Sequence, residues 1–451
     1  MLAKSHPRLA PKPRLFPPVL GYIRNIQKYG LMQFFERCVE SHGKILRLSF
    51  FFNTLHLVVE PDLVQEVLSK KKLYQKGKVG YDNLRLLLGD GLLVSEGEHW
   101  EKHRRLMQPH FRAKSVTKYL NEINEVCRRR LGSWKDGQQV DLQKEMMQLA
   151  MDVIGITMFG FDFHEEGMRV GEEITECFEF IATLLRGQKP LPFIPNRGYR
   201  KFKKSKKYID DFIFRTIQRK KAAGPTEDKK LIDVLLHAVD DETGYQMSVE
   251  QLRDEICTIF LAGHETTALS MTWFWYLLSQ HPDIEERLIR EVDEVLEGRM
   301  PEVSDIPKLR YTRMCIEEAM RLYPPVSVFP RNAMEDTTLG GYKIAKGSML
   351  LLSPYVTHRD PDHWPNPEVF DPERFSEEAV KERKKSAYLP FGLGPRICMG
   401  IHFAMLEMII MTSSIIQKYR LCLPPGTQAT PKFQSTLRPK ETLMVTLETR
   451  S

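Results

Sequence analysis

Apolar residues recur at three- and four-residue spacing from Trp100 to about Phe161, which predicts a run of amphipathic helices. The period returns in KKSKKYIDDFIFRTIQRKK (203–221), a basic amphipathic helix. Ser248 opens a further helix, with Glu250, Asp254 and Glu255 in its early turns as suitable N-terminal chemistry, and the pattern runs on to Gln280. Its stretch from Ile256 to Leu278 is the longest apolar region and is interrupted by His264 and Glu265, so it reads as a buried helix of a soluble protein. A helix from about Ser304 to Leu322 stops at Pro324-Pro325, where ring sterics prevent continuation. Another runs from about Ile401 to Tyr419, ahead of short terminal strands. β-rich runs on either side of Asn53-Thr54 predict one hairpin within 44–60, and GYKIAKGSMLLL (341–352) predicts a second. Arg186 to Arg200, with three prolines and two glycines, reads as a loop, and Thr357 to Pro390 as a long irregular stretch. Prolines 11, 13, 17 and 18 mark an extended lead-in over 1–20. Neither a repeat nor a composition shift marks a linker. The expected class is mainly α with small β-sheets, in a single domain over 1–451.

Composition narrows this picture without redirecting it. With 451 residues, 42% of them hydrophobic, the chain can bury a large core without disulfide staples. The formal charge of +7 is too mild to argue for nucleic acid. Seven cysteines, an odd number with no CxxC, exclude a readable zinc ribbon or dithiol site and point to a reduced, intracellular protein. Between Arg14 and Arg24 lie nine uncharged residues, two of them proline, too short to span a bilayer and unlike a signal peptide.

Three local signals carry chemistry. In PFGLGPRICMG (390–400), glycines and Pro395 build a tight loop that presents Cys398 near the start of an apolar helix, where the dipole and free N–H groups favour a thiolate, a soft metal ligand. On the loop alone, a buried structural cysteine is an equal reading. Glu318 and Arg321 stand at i and i+3 on one helix face and pair; in isolation this is an ordinary solvated surface pair. In LAGHETTA (261–268), an acid and hydroxyls sit in the middle of the apolar helix, costly unless they are hydrogen-bonded or functional. Gly263 there lets a flat ligand lie against the backbone, and Thr266 bonds back to a carbonyl and loosens the helix. His264-Glu265 begins like the zinc-protease HExxH, but position 268 is Ala, so that reading fails.

Taken together and in this order, the three signals resemble the cytochrome P450 family of haem-thiolate monooxygenases over essentially the whole chain. Trp100 and Arg104 resemble its WxxxR, Pro372 to Phe375 its PERF segment, and Arg331 the arginine that follows the ExxR helix. Phe403, Ala404 and Glu407 continue its cysteine helix. The resemblance implies haem b (iron protoporphyrin IX) between a long distal helix and a proximal helix, with Cys398 as the axial thiolate that favours O–O cleavage. It implies that Phe391 packs beside the sulfur, that Gly394 and Gly400 allow the turn, and that Trp100, Arg104, Arg331 and Arg396 meet the haem propionates. Glu318, Arg321 and Arg374 match a buried structural triad, which overturns the surface-pair reading. Glu265 and Thr266 match the acid–alcohol pair that delivers protons to bound oxygen. Some ω-hydroxylases of the family place a haem-bonding glutamate where this chain has Ala262, so the haem is expected to be non-covalent apart from the Cys398 ligand, with Ala262 facing the distal side.

By the same analogy Leu93, Val94, Val326 and Val328 line a substrate pocket, with Phe178 and Ile181 either roofing it or packing as core. All are apolar, which suits a lipophilic substrate such as a fatty acid, terpenoid or steroid-like molecule. The chain ends about 50 residues past Cys398, which predicts no fused reductase and therefore a separate ferredoxin or flavodoxin with its reductase. Lys102, Arg105 and the basic segment 381–385 are the expected docking surface. The expected protein is a soluble, cytoplasmic, bacterial-type monomer that uses O2 and NAD(P)H, with peripheral membrane contact through Leu191 to Lys207 as an open alternative. The rival function is a haem-thiolate binder or sensor without turnover, which the intact Glu265 and Thr266 oppose.

Overall fold

Helices carry most of the chain, and five of them hold the residues of interest: α1 (Gly97–Met107), α2 (Arg197–Ala223), α3 (Val249–Ser279), α4 (Arg310–Leu322) and α5 (Ile401–Ile416). The structure is a computed structural model that describes residues 8–13, 18–50, 53–160, 166–185, 196–224, 230–240 and 242–450. The expected loop therefore lies outside the described residues over 186–195; its last residues are helical, since α2 starts at Arg197. There the Asn196 side chain caps the helix by accepting from the Tyr199 N–H (2.9 Å). Pro17 also lies outside the described residues, and Pro18, expected in extended chain, instead opens the helix Pro18–Tyr29. Proline is tolerated at a first helical position because its missing N–H has no partner to lose there.

α3 runs where the periodicity predicts it. Ser248 Oγ accepts from the Gln251 N–H (3.2 Å) while the Gln251 side chain accepts from the Ser248 N–H (2.8 Å), a reciprocal cap that fixes the start. The helix stops just before His281-Pro282, as the proline ring requires. α4 is shorter than its pattern. The buried Asp305 carboxylate accepts from the Glu302 N–H (2.9 Å) and pairs with Arg299 (2.5 Å), which folds the preceding residues into turns. Those donors hold Asp305 well below the usual carboxylate range.

The strands divide differently from the pattern. Ile45–Phe50 and Asn53–Val58 pair antiparallel, Phe50 opposite Asn53, as the first expected hairpin. The second hairpin is a correction. Tyr342–Ile344 pairs with Thr337–Leu339, around Gly340 and Gly341 at φ 55° and 80°, the two positive angles that a tight hairpin turn demands. Met349–Leu352 instead joins a five-stranded sheet between Asn53–Val58, to which it is parallel, and Phe329–Ala333. Separately, Gln139–Asp141, Met444–Thr449 and Tyr419–Cys422 form a three-stranded antiparallel sheet.

The residues gather into two compact units interleaved along the chain. One comprises Met1–Lys78, Glu317–Cys398 and Pro431–Arg438; the other comprises Val79–Ile316, Met399–Thr430 and Pro439–Ser451. The first holds the five-stranded sheet over a core that includes Leu46, Leu48, Leu57, Phe34 and Tyr355. The second holds the three-stranded sheet and is otherwise mostly helical, with α3 and the apolar α5 buried along most of their length.

Candidate active site

In the first unit the glycine loop is shaped as the sequence requires. The Cys398 N–H donates to the Phe391 carbonyl (2.8 Å), closing the loop. Gly394 has φ +73°, and a Cβ there would stand 2.7 Å from the Leu68 carbonyl oxygen, so any side chain is excluded. Of the seven cysteines Cys398 is the exposed one. Burial pushes the thiols of Cys127 and Cys177 up to about 12 and those of Cys38 and Cys257 to about 11. Burial, with help from Glu448, does the same to Cys422, to about 11. Only the cysteine at residue 398 combines exposure with a built loop, the geometry that a metal-ligating thiolate needs. Arg396 sits in the short turn Gly394–Arg396, and Gly400, in the second unit, starts α5 by accepting from the Ala404 N–H (2.8 Å).

Glu318 and Arg321 are fully buried and bonded side on, at 2.7 and 2.8 Å. Arg321 also donates to the carbonyls of His358 (2.9 Å), Pro367 (2.7 Å) and Val369 (3.1 Å). Glu318 accepts from the Asp371 N–H (2.9 Å) and pairs with Arg374 (3.4 Å). Burial pushes the Glu318 carboxyl upward against Arg321, the Asp371 N–H and Arg374; with three donors in contact, the ionised form is the one this geometry accommodates. The surface-pair reading is thereby excluded on structural grounds. His358 was not legible in the sequence. Its Nε2 accepts from the Leu389 N–H (2.9 Å), so its Nδ1–H donates to the Arg321 carbonyl (3.1 Å). Burial holds it neutral, well below its ordinary value. Arg331 is buried in its strand and donates to the Pro330 carbonyl (2.8 Å). Val326 is exposed, whereas Val328 packs with the core around Phe34 and Tyr355.

In the second unit α3 is buried from Leu252 to Leu278 apart from the half-buried Asp254 and Tyr276 and a short stretch at its middle, where Ala262 is exposed and Gly263 and Thr266 are half-buried. Ala262 and Thr266 are one turn apart, and the Thr266 hydroxyl donates to the Ala262 carbonyl (2.7 Å). Glu265 is 7% exposed beside that opening. His264 is turned inward, its Nδ1 at 2.9 Å from the Phe260 carbonyl, and burial lowers its pKa. Among the described residues no cluster of three His, Cys, Asp or Glu could hold a metal ion. Gly263 serves a different neighbour from the flat ligand expected: a Cβ there would stand 2.5 Å from Ile154 Cδ1, so the glycine lets the helix Leu142–Ile154 pack closely. On α1, Trp100 is buried and the Arg104 guanidinium lies 5.6 Å from its ring centre, one turn on. Leu93 is half-buried between the buried Leu92 and Val94. Phe178 and Ile181 are both buried, which favours the core-packing alternative.

α5 carries one acid, Glu407, fully buried, with Oε2 at 3.3 Å from the Thr267 hydroxyl and Oε1 without a partner among the described residues. Its signal in the sequence was the same as that of Glu265, one acid within an apolar helix. Burial raises its pKa well above the usual range, against the Thr267 hydrogen bond. The native protein thus keeps a proton that the unfolded chain releases above about pH 4.5, so stability is lost as pH rises through the raised pKa. Glu407→Gln, already neutral, is expected to remove that loss and to be more stable than the parent at neutral pH by about 1 kcal/mol. Urea midpoints of both proteins across pH 4–8 check it; equal slopes would count against a neutral acid.

A family model described as Cytochrome P450 matches residues 11–447. Cyclooctatin synthase of Streptomyces melanosporofaciens is 34% identical over 408 residues, 89% of this chain and 88% of its own length. Cyclooctat-9-en-7-ol 5-monooxygenase of the same organism is 32% identical over 415 residues, 91% and 89% of the two chains. Among solved structures, the crystal structure of the cytochrome P450DA heme domain matches with a TM-score of 0.91 at 26% identity, covering 99% of each chain.

Proposed function

Because the chain belongs to the cytochrome P450 family, and is an oxidoreductase of its monooxygenase type, we propose that it inserts one oxygen atom from O2 into a lipophilic small molecule. The open face of α3 at Ala262 and Thr266, in the middle of a mostly buried helix, carries this reading. Haem b, held non-covalently apart from the Cys398 ligand, would supply the iron at which O2 is reduced, with the electrons drawn from NAD(P)H through the redox partner. The residues of each unit fit it: in the first an exposed cysteine in a glycine-rich loop with Arg331 and Arg396 as propionate partners, in the second Trp100 and Arg104 in the same role. Phe391 and Gly394 shape the loop, and Gly400 starts the helix behind it. With Ala262 in place of a carboxylate, no side chain there can esterify the haem.

Each residue's part follows from its position. Thr266 and Ala262 share the open face, so a hydroxyl that now donates to its own helix can turn toward a group bound there. Glu265, one residue earlier, is the acid that can replenish its proton. In the second unit Leu93 is half-buried and apolar, which supports an uncharged or largely apolar substrate, whereas Val94 is buried, and in the first unit Val328 packs in the core and Val326 is exposed, so these three do not strengthen the pocket reading. The name of one relative, a monooxygenase of the unsaturated alcohol cyclooctat-9-en-7-ol, favours a terpenoid-like alcohol or hydrocarbon over a fatty acid or steroid. A spectral screen of all three classes, followed by substrate-dependent consumption of O2 and NAD(P)H, tests this; haem-thiolate spectra without turnover on any class would favour the sensor. Thr266→Ala is expected to keep the spectra and NAD(P)H oxidation but to lower product per NAD(P)H by at least about tenfold, with peroxide released instead. Unchanged coupling would remove the proton-delivery role.

The whole of 1–451 is read as one monomeric domain reduced by a separate ferredoxin or flavodoxin with its reductase. Part of the expected docking surface is committed elsewhere: Arg105 pairs with Asp240 (2.7 Å) and Glu242, and Lys384 with Asp62 (2.8 Å). Exposed Lys381 and Lys385 support the docking better. No helix among the described residues is long and apolar enough to cross a membrane. A cytoplasmic, soluble enzyme remains the proposal. Leu191–Lys207 as a membrane contact falls outside the described residues over 191–195, while α2 exposes Arg197, Tyr199, Arg200, Lys203 and Lys204.

A further inference from the structure

Arg253, Asp254 and Glu255 stand in consecutive positions of α3, the last two in the turns where the sequence pattern assigns them ordinary helix-start chemistry. The structure employs them otherwise. Arg253 Nη1 donates to the Leu87 carbonyl (2.8 Å), Asp254 Oδ2 accepts from the Asp90 N–H (2.8 Å), and Glu255 Oε2 accepts from the Leu92 N–H (3.0 Å). Three neighbouring side chains thus bind three backbone groups of the segment that leads into Leu93 and Val94. Two glycines admit the contact. Gly89 has φ +56°, with a Cβ falling 2.1 Å from the Asp254 carboxylate; at Gly91 a Cβ would fall 2.0 Å from Thr258 Oγ1 and 2.8 Å from the Asp254 carbonyl. At these two positions the segment lies so close on α3 that a side chain is excluded.

The charges on the clamp are themselves held. Arg253 is 5% exposed and its Nε donates to Asp210 of α2 (2.7 Å). Glu255 is fully buried, and its other oxygen meets His103 Nδ1 at 2.5 Å; His103 Nε2 in turn faces the Tyr245 hydroxyl at 2.6 Å. His103 belongs to α1, the helix of Trp100 and Arg104. A buried carboxylate with both oxygens engaged is fixed in position far more tightly than an apolar contact would be. Within the clamped segment Leu92 and Val94 are buried, and Leu93 is the apolar side chain left partly open.

We propose that Arg253, Asp254 and Glu255 are positioning residues that fix the Leu87–Leu92 backbone on α3 and so set where Leu93 stands in the substrate pocket, making the clamp a determinant of substrate size and orientation. The proposal rests on the monooxygenase reading for its pocket, and on the hydrogen bonds alone for its clamp. A tight loop bonded to rigid helix gives a pocket wall that does not adapt to its guest, which is how a positioned apolar wall selects one orientation.

The test uses the full-length haem-loaded protein and the variants Glu255→Ala, Asp254→Ala and Gly91→Ala, with Glu255→Gln as the conservative comparator that still offers an acceptor to the Leu92 N–H. Amide exchange should rise at Leu92 in Glu255→Ala and at Asp90 in Asp254→Ala, and remain slow at both in Glu255→Gln. Difference spectra with imidazole, which needs only the iron, and with 4-phenylimidazole, which must also fit the wall, read the pocket. The 4-phenylimidazole dissociation constant should rise about tenfold in the alanine variants with that for imidazole unchanged, and recover in Glu255→Gln. A purely structural role would shift both ligands by one factor, and that result, or unchanged exchange at Asp90 and Leu92, overturns the proposal. If Glu255→Ala does not fold, Asp254→Ala and Gly91→Ala carry the same comparison. A wild-type protein without thiolate-type spectra would instead defeat the monooxygenase reading, while the exchange measurement still judges the clamp.

Discussion

Cys398→Ala is expected to yield a folded protein whose reduced, carbon-monoxide-treated form lacks the strongly red-shifted Soret band of thiolate ligation. The side chain is exposed rather than part of the core. The loop is closed by the Cys398 N–H to Phe391 carbonyl bond, a backbone contact that the substitution leaves intact. Substitutions at such sites generally change stability by no more than about 0.5 kcal/mol. The electronic consequence is of a different order, because the other six cysteines are poorly placed to replace the sulfur: Cys38, Cys127, Cys177 and Cys257 are buried and held as thiols, Cys315 is buried, and the Cys422 thiol is raised as well. Monooxygenase turnover should vanish with the band while the unfolding midpoint of the haem-free protein stays within error of the parent. Persistence of the band in a fully pigmented variant would refute Cys398 as the ligand and with it the haem-thiolate reading.

Glu318→Ala is expected to be the most destabilising single substitution at the site. It strips Arg321, which is 0% exposed, of the carboxylate it is paired with and leaves the guanidinium buried among carbonyls. Breaking a buried ion pair from one side typically costs about 3–5 kcal/mol, since the remaining charge is uncompensated. The damage should spread beyond the helix. Glu318 holds the Asp371 N–H and Arg374, while Arg321 holds the carbonyls of His358, Pro367 and Val369, so the pair anchors the irregular stretch that leads to the Cys398 loop. Chemical denaturation should show the loss of stability, and haem titration should show reduced pigment per chain. Glu318→Gln, which keeps the shape but not the charge, should fall between the two; if it matched the parent in both measurements, the charge of the pair would not matter and the triad would be merely a packing element.

Local patterns were sufficient for α3. Its reciprocal cap at Ser248 and Gln251, its apolar run and the proline at 282 are all near neighbours along the chain, so its bounds follow from short-range sterics and hydrogen bonding. The Cys398 loop was legible for the same reason, its glycines and proline dictating a turn. The ExxR spacing showed that Glu318 and Arg321 share a face, but not that the face is buried, because burial depends on carbonyls from 358 to 369 and the N–H of 371. The hairpin expected over 341–352 failed on a similar point: the apolar run Met349–Leu352 reports a strand, not its partners, and these proved to be Phe329–Ala333 and a parallel strand nearly 300 residues earlier in the chain.

Chemistry-bearing residue types and their order along the chain were thus determined by the sequence alone, since caps, turns and motif spacings act within a few residues. Only tertiary structure decided which charges are buried and what they hold. His358 against Arg321, Glu407 against Thr267, and Glu255 between Leu92 and His103 are pairings across wide sequence separations, set by packing and by the need of each buried polar group for a partner, and no local period encodes them.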